Sequence, residues 1–220
     1  MVLVHGISLF AFSLVGLLAS VARAQPLLPI DDFTQQAVGK YPHGWRTWPT
    51  QGGKAREVYT VAEEDGNRYL AANDTKDHSV QIFREFDWDP GRHPVLSWRW
   101  RARQLPAEAN ERSDATNDSA CGVYVIFGKV AGRGLKYVWS TTLPPGTTRV
   151  KEANKMYFTV LDKGPATSWR AHKVHVLQEY QKFFGKAPEK APVGIGILTD
   201  GNATHTPAAC DYDDFTIGKE

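Results

Sequence analysis

The sequence predicts an all-β fold with one short late helix, arranged as an antiparallel two-sheet β-sandwich or jelly roll. Turn-forming residues recur about every ten residues, a spacing typical of sandwiches and barrels. The 220-residue chain contains 7 Trp, 8 Tyr and 10 Phe but 2 Met, and large aromatic side chains favour strands. Residues 95–103 place apolar side chains at alternate positions with Ser97 and three arginines between them, a period of two that a strand sorts onto opposite faces.

The first half of the chain reads as short strands separated by turns. Glu64-Asp65-Gly66-Asn67 is a hairpin signal, and Asp89-Pro90-Gly91 ends another strand. Polar residues 106–120 show no periodicity and predict a long loop. Strands are therefore expected over residues 31–33, 56–61, 68–72, 80–86 and 95–103.

The second half continues the sheets and adds the helix. Residues 122–130 are apolar at odd and even positions, so this strand is expected to be central and buried on both faces. Apolar residues at helical spacing predict a helix over 174–184, which ends before Gly185. Asp-Asp-Phe stands at 31–33 and again at 213–215, and we expect the first and last strands to pair. Further strands are expected over residues 136–140, 156–161, 193–198 and 212–217.

The N-terminus predicts export. An apolar run over residues 7–19 and the small-x-small pattern at 22–24 predict a signal peptide over 1–24, which leaves one sandwich domain over 25–220. An uncleaved anchor is the alternative, because no Lys or Arg precedes the run. After cleavage we expect no membrane span and a location in the bacterial periplasm or outside the cell. In such a compartment Cys121 and Cys210 are expected to form a disulfide.

Charge and motifs exclude several classes of function. The formal net charge is +2, and removal of Arg23 with the signal peptide leaves +1, which argues against nucleic acid as the main partner. No Gly-x-Ser-x-Gly, P-loop or Gly-x-Gly-x-x-Gly motif occurs. Hydrolase-elbow, nucleotide-hydrolysing and dinucleotide-binding functions therefore have no support.

Several motifs together resemble a known family. They are Asp-Asp-Phe, Glu-Asp-Gly-Asn-Arg-x-Leu, Leu-Ser-Trp-Arg-Trp-Arg, Val-Tyr-Val-Ile-Phe, Tyr-Val-Trp-Ser and Tyr-Asp-Asp-Phe. In this order, from Asp31 to Ile217, they are similar to a DUF3047-like family of bacterial secreted proteins, a domain of unknown function. The resemblance implies a sandwich similar to carbohydrate-binding modules. It implies no catalytic residues.

The arginine face of the strand 95–103 is the first candidate site. Three aligned guanidinium groups could bind carboxylates, sulfates or phosphates of an acidic glycan, because arginine offers bidentate geometry. Lys136 could extend this surface from a later strand. The alternative is pairing with acidic residues of neighbouring strands, such as Glu85 and Asp87. The arginines are Arg99, Arg101 and Arg103.

Two carboxylate groups are further candidates. Glu85 and Asp87 alternate onto one strand face, as a pair for glycoside hydrolysis would, although the same pattern also marks a solvated strand end. Asp32 and Asp214 would approach each other if the terminal strands pair, and they could hold a structural calcium ion. The alternative for these two is turn capping at an exposed edge. No other cofactor is expected.

Aromatic and loop residues complete the candidates. Tyr137 and Trp139 could stack on sugar rings, whereas Trp98 and Trp100 are expected in the core. Trp45 and Trp48 lie in a segment bounded by glycine and proline, where binding residues are common. Asp200 and Asn202 follow a buried strand and could contact a ligand from a loop.

The residues therefore favour an exported jelly roll that binds a saccharide in the cell envelope, and the arginines point to an anionic one. Two alternatives stay open. The protein could cleave polysaccharides as a hydrolase or a lyase, or it could be a non-catalytic interaction protein of the envelope. The fold analogy and the arginine face support saccharide binding only by association.

Overall fold

Twelve strands and two α-helices form the regular structure of residues 27–128, 132–151 and 155–219, the parts that the computed structural model describes. The predicted signal peptide, residues 1–24, lies outside these ranges. The strands are β1 (Leu28–Asp31), β2 (Tyr59–Glu64), β3 (Asn67–Asp74), β4 (Ile82–Glu85), β5 (Val95–Gln104), β6 (Ser119–Phe127), β7 (Arg133–Ser140), β8 (Thr148–Lys151), β9 (Met156–Lys163), β10 (Arg170–His175), β11 (Pro192–Asp200) and β12 (Ala208–Gly218). The helices are α1 (Gly52–Val58) and α2 (Val176–Phe184).

The strands form two six-stranded sheets, which confirms the predicted sandwich. The first sheet has the order β10-β5-β12-β3-β2, and β1 also pairs with β12. The second sheet has the order β4-β11-β6-β7-β9-β8. Within the described ranges the strand pairings are antiparallel except that of β7 with β9, which is parallel. The terminal strands pair as predicted, with Leu28 opposite Ile217.

The hydrophobic core lies between the two sheets and is rich in aromatic rings. On β5 the side chains of Leu96, Trp98 and Trp100 are at most 1% exposed, as their alternation predicts. Trp98 lies 5.6 Å from the ring of Tyr137 on β7, so indole and phenol rings of opposite sheets are in contact. Burial of such large rings supplies much of the hydrophobic stabilisation of a sandwich.

A disulfide joins the two sheets through this core. Cys121 on β6 and Cys210 on β12 are bonded, with their Cα atoms 5.4 Å apart, which confirms the predicted pair. The two residues are 89 positions apart in the chain. Closing a loop of that length contributes about 4–5 kcal/mol in the chain-entropy description of the unfolded state.

A buried carboxylate closes one side of the sandwich. Asp162 on β9 accepts hydrogen bonds from Trp100 Nε1 at 2.7 Å, Arg170 Nη1 at 2.6 Å and His172 Nε2 at 2.6 Å, all from the first sheet. Burial alone would raise the pKa of Asp162. The hydrogen bonds from His172, Arg170 and Trp100 outweigh burial and lower this pKa to about 2.

The predicted turn and helix end are confirmed, whereas the start of one predicted strand is wrong. The hairpin signal is confirmed, with Asp65 at φ 53° and Gly66 at φ 79° between β2 and β3. Helix α2 ends as predicted before Gly185, which has φ 72°. The strand predicted over 56–61 begins only at Tyr59, because residues 52–58 form α1 and bury Ala55 and Val58. Neither α1 nor α2 is long and apolar enough to cross a membrane.

Two edge strands escaped prediction because their sequences are mostly polar. β8 and β10 are the outermost strands of the second and first sheets. Most of their residues are polar, and neither strand has a fully buried side chain. An edge strand of this kind lacks the apolar pattern that a central strand shows.

Candidate functional site

The arginine face of β5 is occupied by internal partners. Arg99 pairs with Asp213 at 2.6 Å and with Asp214 at 2.8 Å. Arg101 pairs with Asp211 at 2.8 Å and with Glu64 at 2.7 Å, and Arg103 pairs with Asp211 at 2.7 Å. The carboxylates come from β12 and from Glu64 at the end of β2, and not from Glu85 or Asp87. The arginines are therefore neutralised on the outer face of the first sheet, the face turned away from the second sheet.

An indole covers part of this face. Trp169 lies 4.7 Å from the guanidinium carbons of both Arg99 and Arg101. It also contacts the ring of Tyr69 edge to face, at 5.5 Å between centroids. Such cation–π contacts add to the ion pairs and fix the side chains. Sequence reasoning missed Trp169. The prediction that the arginine face binds an acidic glycan assumed unpaired, accessible guanidinium groups, and this assumption is wrong.

Tyr137 and Trp139 are also not surface groups. They are 1% and 0% exposed, because alternation along β7 turns them towards Trp98 and Trp100. The Trp139 indole N–H donates to the carbonyl oxygen of Gly164 at 2.7 Å. The prediction that these rings stack on sugars is therefore wrong.

The predicted carboxylate pair lies in a shallow groove of about 800 Å³ at the β4 end. Glu85 and Asp87 both line it, beside Trp88 and Pro192. Glu85 is half-exposed and pairs with the exposed Arg46 at 2.5 Å. This setting is one of solvated charges, and it offers no buried acid.

The predicted calcium ligands have protein partners. Asp32 Oδ1 accepts hydrogen bonds from the backbone N–H of Thr34 at 3.1 Å and from its hydroxyl at 2.7 Å. Asp214 Oδ2 pairs with Arg99 Nε at 2.8 Å. Within the described ranges no three His, Cys, Asp or Glu side chains are grouped to hold a metal ion. Calcium at this end stays a prediction.

Three other predicted residues come together at one cleft. Lys136, Asp200 and Asn202 line a cleft of about 320 Å³ on the outer face of the second sheet. Residues Val123, Val125 and Leu135 of β6 and β7 face the core, so the residues between them face the cleft. The prediction that Lys136 extends the arginine face is therefore wrong, because Lys136 lies on the other sheet. Tyr124 and Phe158 form apolar walls of the cleft.

Lys136 forms the floor of the cleft and is almost fully buried. Its ammonium lies 5.2 Å from the ring centre of Tyr124 and 4.8 Å from that of Phe158. Burial alone would lower the pKa of Lys136. The charge interactions with Tyr124, Asp200 and Glu111, and a hydrogen bond with Tyr124, raise it above the usual value, so the side chain is a cation at neutral pH.

A glycine makes room for this lysine. A Cβ atom at Gly122 would lie 3.0 Å from the carbonyl oxygen of Leu198 and 3.2 Å from Cε of Lys136. Contacts this short are rare for real Cβ atoms. The strand β6 thus lets the lysine stem lie flat against the sheet.

Asp200 is the carboxylate of the cleft. Its Oδ1 accepts from the backbone N–H of Ser119 at 3.1 Å, and its Oδ2 accepts from the hydroxyl of Ser79 at 3.4 Å. Burial raises the pKa of Asp200 to about 6; Asp118 and Asp74 act in the same direction, and Lys136 and the Ser119 N–H oppose them. The group therefore changes its protonation close to neutral pH.

Two buried carboxylates fix the loops around the cleft. Asp118 accepts from the N–H of Ala203 at 3.0 Å and from the N–H and hydroxyl of Thr204, each at 2.7 Å. Asp74 accepts from the N–H groups of His78 at 3.0 Å and of Ser79 at 2.9 Å. Hydrogen bonds from backbone to buried carboxylate hold a loop in one conformation. The rim of the cleft is therefore preformed.

The predicted loop 106–120 supplies another wall. Glu111 is 1% exposed and accepts from the hydroxyls of Ser119 at 3.1 Å and Ser140 at 2.6 Å, which holds the loop on the sheet. Arg149 pairs with Asp114 of this loop at 2.7 Å. The Oδ1 atom of Asn117, which also lines the cleft, is buried and has no hydrogen-bond partner within the described residues.

Sequence reasoning missed Tyr124 and Phe158, whereas the loop at Asn117-Asp118-Ser119 was a candidate for ligand contact from its place before a buried strand. The sequence did contain a pattern that marks Lys136, the floor of the cleft, as unusual. Lys136 stands among the apolar residues 135–139, where a strand buried on both faces leaves no place for a solvated lysine. A charged residue in such a strand has to be compensated by other polar groups.

Comparisons with known proteins give one family and a set of distant structures. A family model described as "Protein of unknown function (DUF3047)" matches residues 43–216. No curated protein matches the chain.

Among solved structures, the family 11 carbohydrate-binding module of the cellulase Lic26A-Cel5E of Clostridium thermocellum matches with 10% identity and a TM-score of 0.44, over 90% of this chain and 96% of that one. The R112A mutant of CBM29-2, a family 29 carbohydrate-binding module, matches with 8% identity and a TM-score of 0.38, over 88% and 90%. TmCBM61 in complex with β-1,4-galactotriose matches with 8% identity and a TM-score of 0.38, over 83% and 92%. At these values no residue or ligand is transferred.

Proposed function

Because this chain belongs to the DUF3047 family, whose members are described as proteins of unknown function, we propose its function from its own cleft. We propose that it is an exported protein that binds a saccharide at this cleft without converting it. The observation that carries the proposal is the preformed cleft of about 320 Å³, in which a buried cation and a buried carboxylate lie beside aromatic walls.

The chemistry of the cleft suits sugar hydroxyl groups, which both donate and accept hydrogen bonds. Lys136 donates, and Asp200 accepts when it is ionised. Tyr124 and Phe158 provide apolar walls for the C–H groups of a sugar ring. A site of this size with a few convergent polar groups is typical of small-ligand binding.

The charge of the cleft favours a neutral sugar. Three further carboxylates, Asp74, Asp118 and Glu111, act electrostatically on Asp200 or Lys136. An anionic sugar would therefore be repelled by these three surrounding carboxylates, because the charges of the cleft lining itself are balanced. Two lysines and two carboxylates line the cleft itself, namely Lys136, Lys151, Asp114 and Asp200.

One observation favours a second candidate, cleavage of a polysaccharide. A buried carboxyl with a pKa of about 6 in a cleft is typical of a general acid. Glycoside hydrolysis, however, uses two carboxyl groups that face the bond. Both oxygens of the neighbouring Asp118 already accept loop hydrogen bonds, so binding without conversion is the better-supported function.

Binding is tested by isothermal titration of the purified chain with neutral and uronic acid oligosaccharides at low salt. Lys136→Met removes the buried cation, and we expect it to weaken binding by about tenfold or more, the loss of one good polar contact. Lys173→Met makes the same change at an exposed position of β10 and should leave the affinity unchanged. Equal affinities of the Lys136 variant and the wild type, or no binding of any sugar, would contradict the proposal.

Cleavage is tested in the same samples by chromatography of the sugars after incubation. Unchanged oligosaccharides support binding without conversion. New reducing ends that appear with the wild type and are lost with Asp200→Asn would replace the proposal with the enzymatic candidate.

Export is supported by the Cys121–Cys210 disulfide, because such bonds persist in oxidising compartments. It is tested by expression of the full chain in a bacterium and sequencing of the N-terminus of the periplasmic protein. We expect a mature chain that begins at Gln25. A full-length chain retained in the cytoplasm would contradict export.

A further inference from the structure

One cross-strand row runs from the cleft to the edge of the second sheet. Phe83 on β4 is opposite Gly196 on β11, and Gly196 is opposite Tyr124 on β6. Tyr124 is opposite Lys136, which is opposite Phe158 on β9. Residues in register on adjacent strands share a face, so all five lie on the outer face. The row therefore connects the cleft with Phe83, beyond its wall.

An exposed indole lies at the far end of this row. Trp48 is 59% exposed and contacts the ring of Phe83 edge to face, at 5.6 Å between centroids. Its chain segment is held on β4, because Arg46 and Phe83 exchange backbone hydrogen bonds of 2.9 and 2.8 Å. The hydroxyl of the intervening Thr47 donates to the carbonyl of Gln81 at 2.7 Å. The indole is thus anchored on a fixed backbone and faces solvent.

The distance between Phe83, on which the indole packs, and the cleft wall at Tyr124 can be read from the sheet. Phe83 and Tyr124 are two strands apart, which is roughly 9.5 Å at the usual strand spacing. Gly196 stands between them without a side chain of its own, and the side-chain amide of Gln81 lies beside it, 3.0 Å from where a Cβ atom would be. The separation is too long for one sugar ring and suits successive residues of an extended chain.

We propose that Trp48 and Phe83 form a second subsite, and that the ligand is a linear neutral oligosaccharide laid across the strands of the second sheet. The inference rests on the proposed saccharide function of the cleft. One end of the chain occupies the cleft over Lys136, and a later residue stacks on the Trp48 indole. Large flat aromatic faces that are exposed and fixed bind the apolar face of a ring at low entropic cost.

The test is a chain-length series of β-1,4-linked gluco-, galacto- and xylo-oligosaccharides, from monosaccharide to hexasaccharide, titrated into the full mature chain. We expect affinity to rise by about tenfold between the disaccharide and the hexasaccharide, the effect of one added stacking contact. Trp48→Ala should remove this rise and leave the affinity for the disaccharide unchanged. Trp48→Phe should keep part of the rise.

The controls separate the second subsite from the cleft. Val38→Ala truncates another exposed apolar side chain and should change no affinity. An affinity independent of chain length, or an equal loss for short and long sugars in Trp48→Ala, overturns the second subsite and leaves the cleft proposal intact. Absence of binding to all three series overturns both. Thermal melting of the Trp48 variants within about 2 °C of the wild type excludes a folding defect.

Discussion

Replacement of Asp200 by asparagine is expected to stabilise the protein and to weaken ligand binding. The wild-type carboxyl is buried, and burial raises its pKa to about 6. At neutral pH the folded chain therefore holds an ionised group that its surroundings disfavour. Asparagine can keep the hydrogen bond from the Ser119 N–H through its oxygen and can donate to Ser79, but it carries no charge.

The size and sign of the effect follow from the two pKa values. A rise from 3.8 in the unfolded chain to about 6 in the folded chain corresponds to about 3 kcal/mol. The raised pKa favours the protonated folded state, so the wild type loses this stability as pH rises from about 4 to about 6. The asparagine variant has no such loss. The difference in unfolding free energy should be near zero below about pH 4 and reach up to about 3 kcal/mol above pH 6–7.

The assay is urea unfolding of the oxidised protein, followed by tryptophan fluorescence at several pH values. Asp87→Asn is the matched control, because it makes the same change at a side chain that is exposed in the groove near β4. Titration with the best-binding oligosaccharide measures affinity in parallel. A site that favours ligand at the expense of stability is common in proteins.

Two results would refute this reasoning. An asparagine variant less stable than the wild type at neutral pH would mean that ionised Asp200 is favoured by its neighbours. A stability gain of the same size at low and neutral pH would show that the carboxyl charge is not the cause. Either result would also remove the support for Asp200 as a strained, ligand-facing acid.

Two further predictions concern the links between the sheets. Asp162→Asn should destabilise the protein at neutral pH, because the anion held by Arg170 and His172 is lost. In the wild type, the lowered pKa of Asp162 contributes stability that should disappear as pH falls from about 4 to about 2. Circular dichroism of both proteins over this pH range measures the effect. Cys121→Ser should lower the unfolding free energy by about 4–5 kcal/mol in urea and abolish the effect of added reductant, and an unchanged midpoint would contradict a stabilising bridge to Cys210.

The strand signals that the sequence carries are local, and they predicted the fold well. Alternation over 95–103 assigned Trp98 and Trp100 to the core, because side-chain direction along one strand depends only on position parity. The Asp65-Gly66 turn was predictable because both residues adopt positive φ without much strain. Edge strands such as β8 were not predictable, because solvent on one side removes the apolar pattern.

The candidate site was predicted only in part. Lys136 was identified as part of the arginine face, and Asp200 and Asn202 were identified together as a separate loop. Tyr137 and Trp139 were assigned to the wrong face, since a strand with apolar residues at both parities does not reveal which parity meets the other sheet. Lys136 lies at the opposite parity, and its charge indicates that this parity faces away from the other sheet.

By itself the sequence determined the sandwich class, the pairing of the terminal strands, the disulfide partners and the two faces of β5. Tertiary structure decided what those faces do. It brought Asp211 and Asp213 of β12 beside the arginines and closed that surface. It also brought residues more than 60 positions apart, Lys136 and Asp200, to one cleft. The physical reason is that alternation is local to a strand, whereas strand order and register depend on the packing of the whole chain.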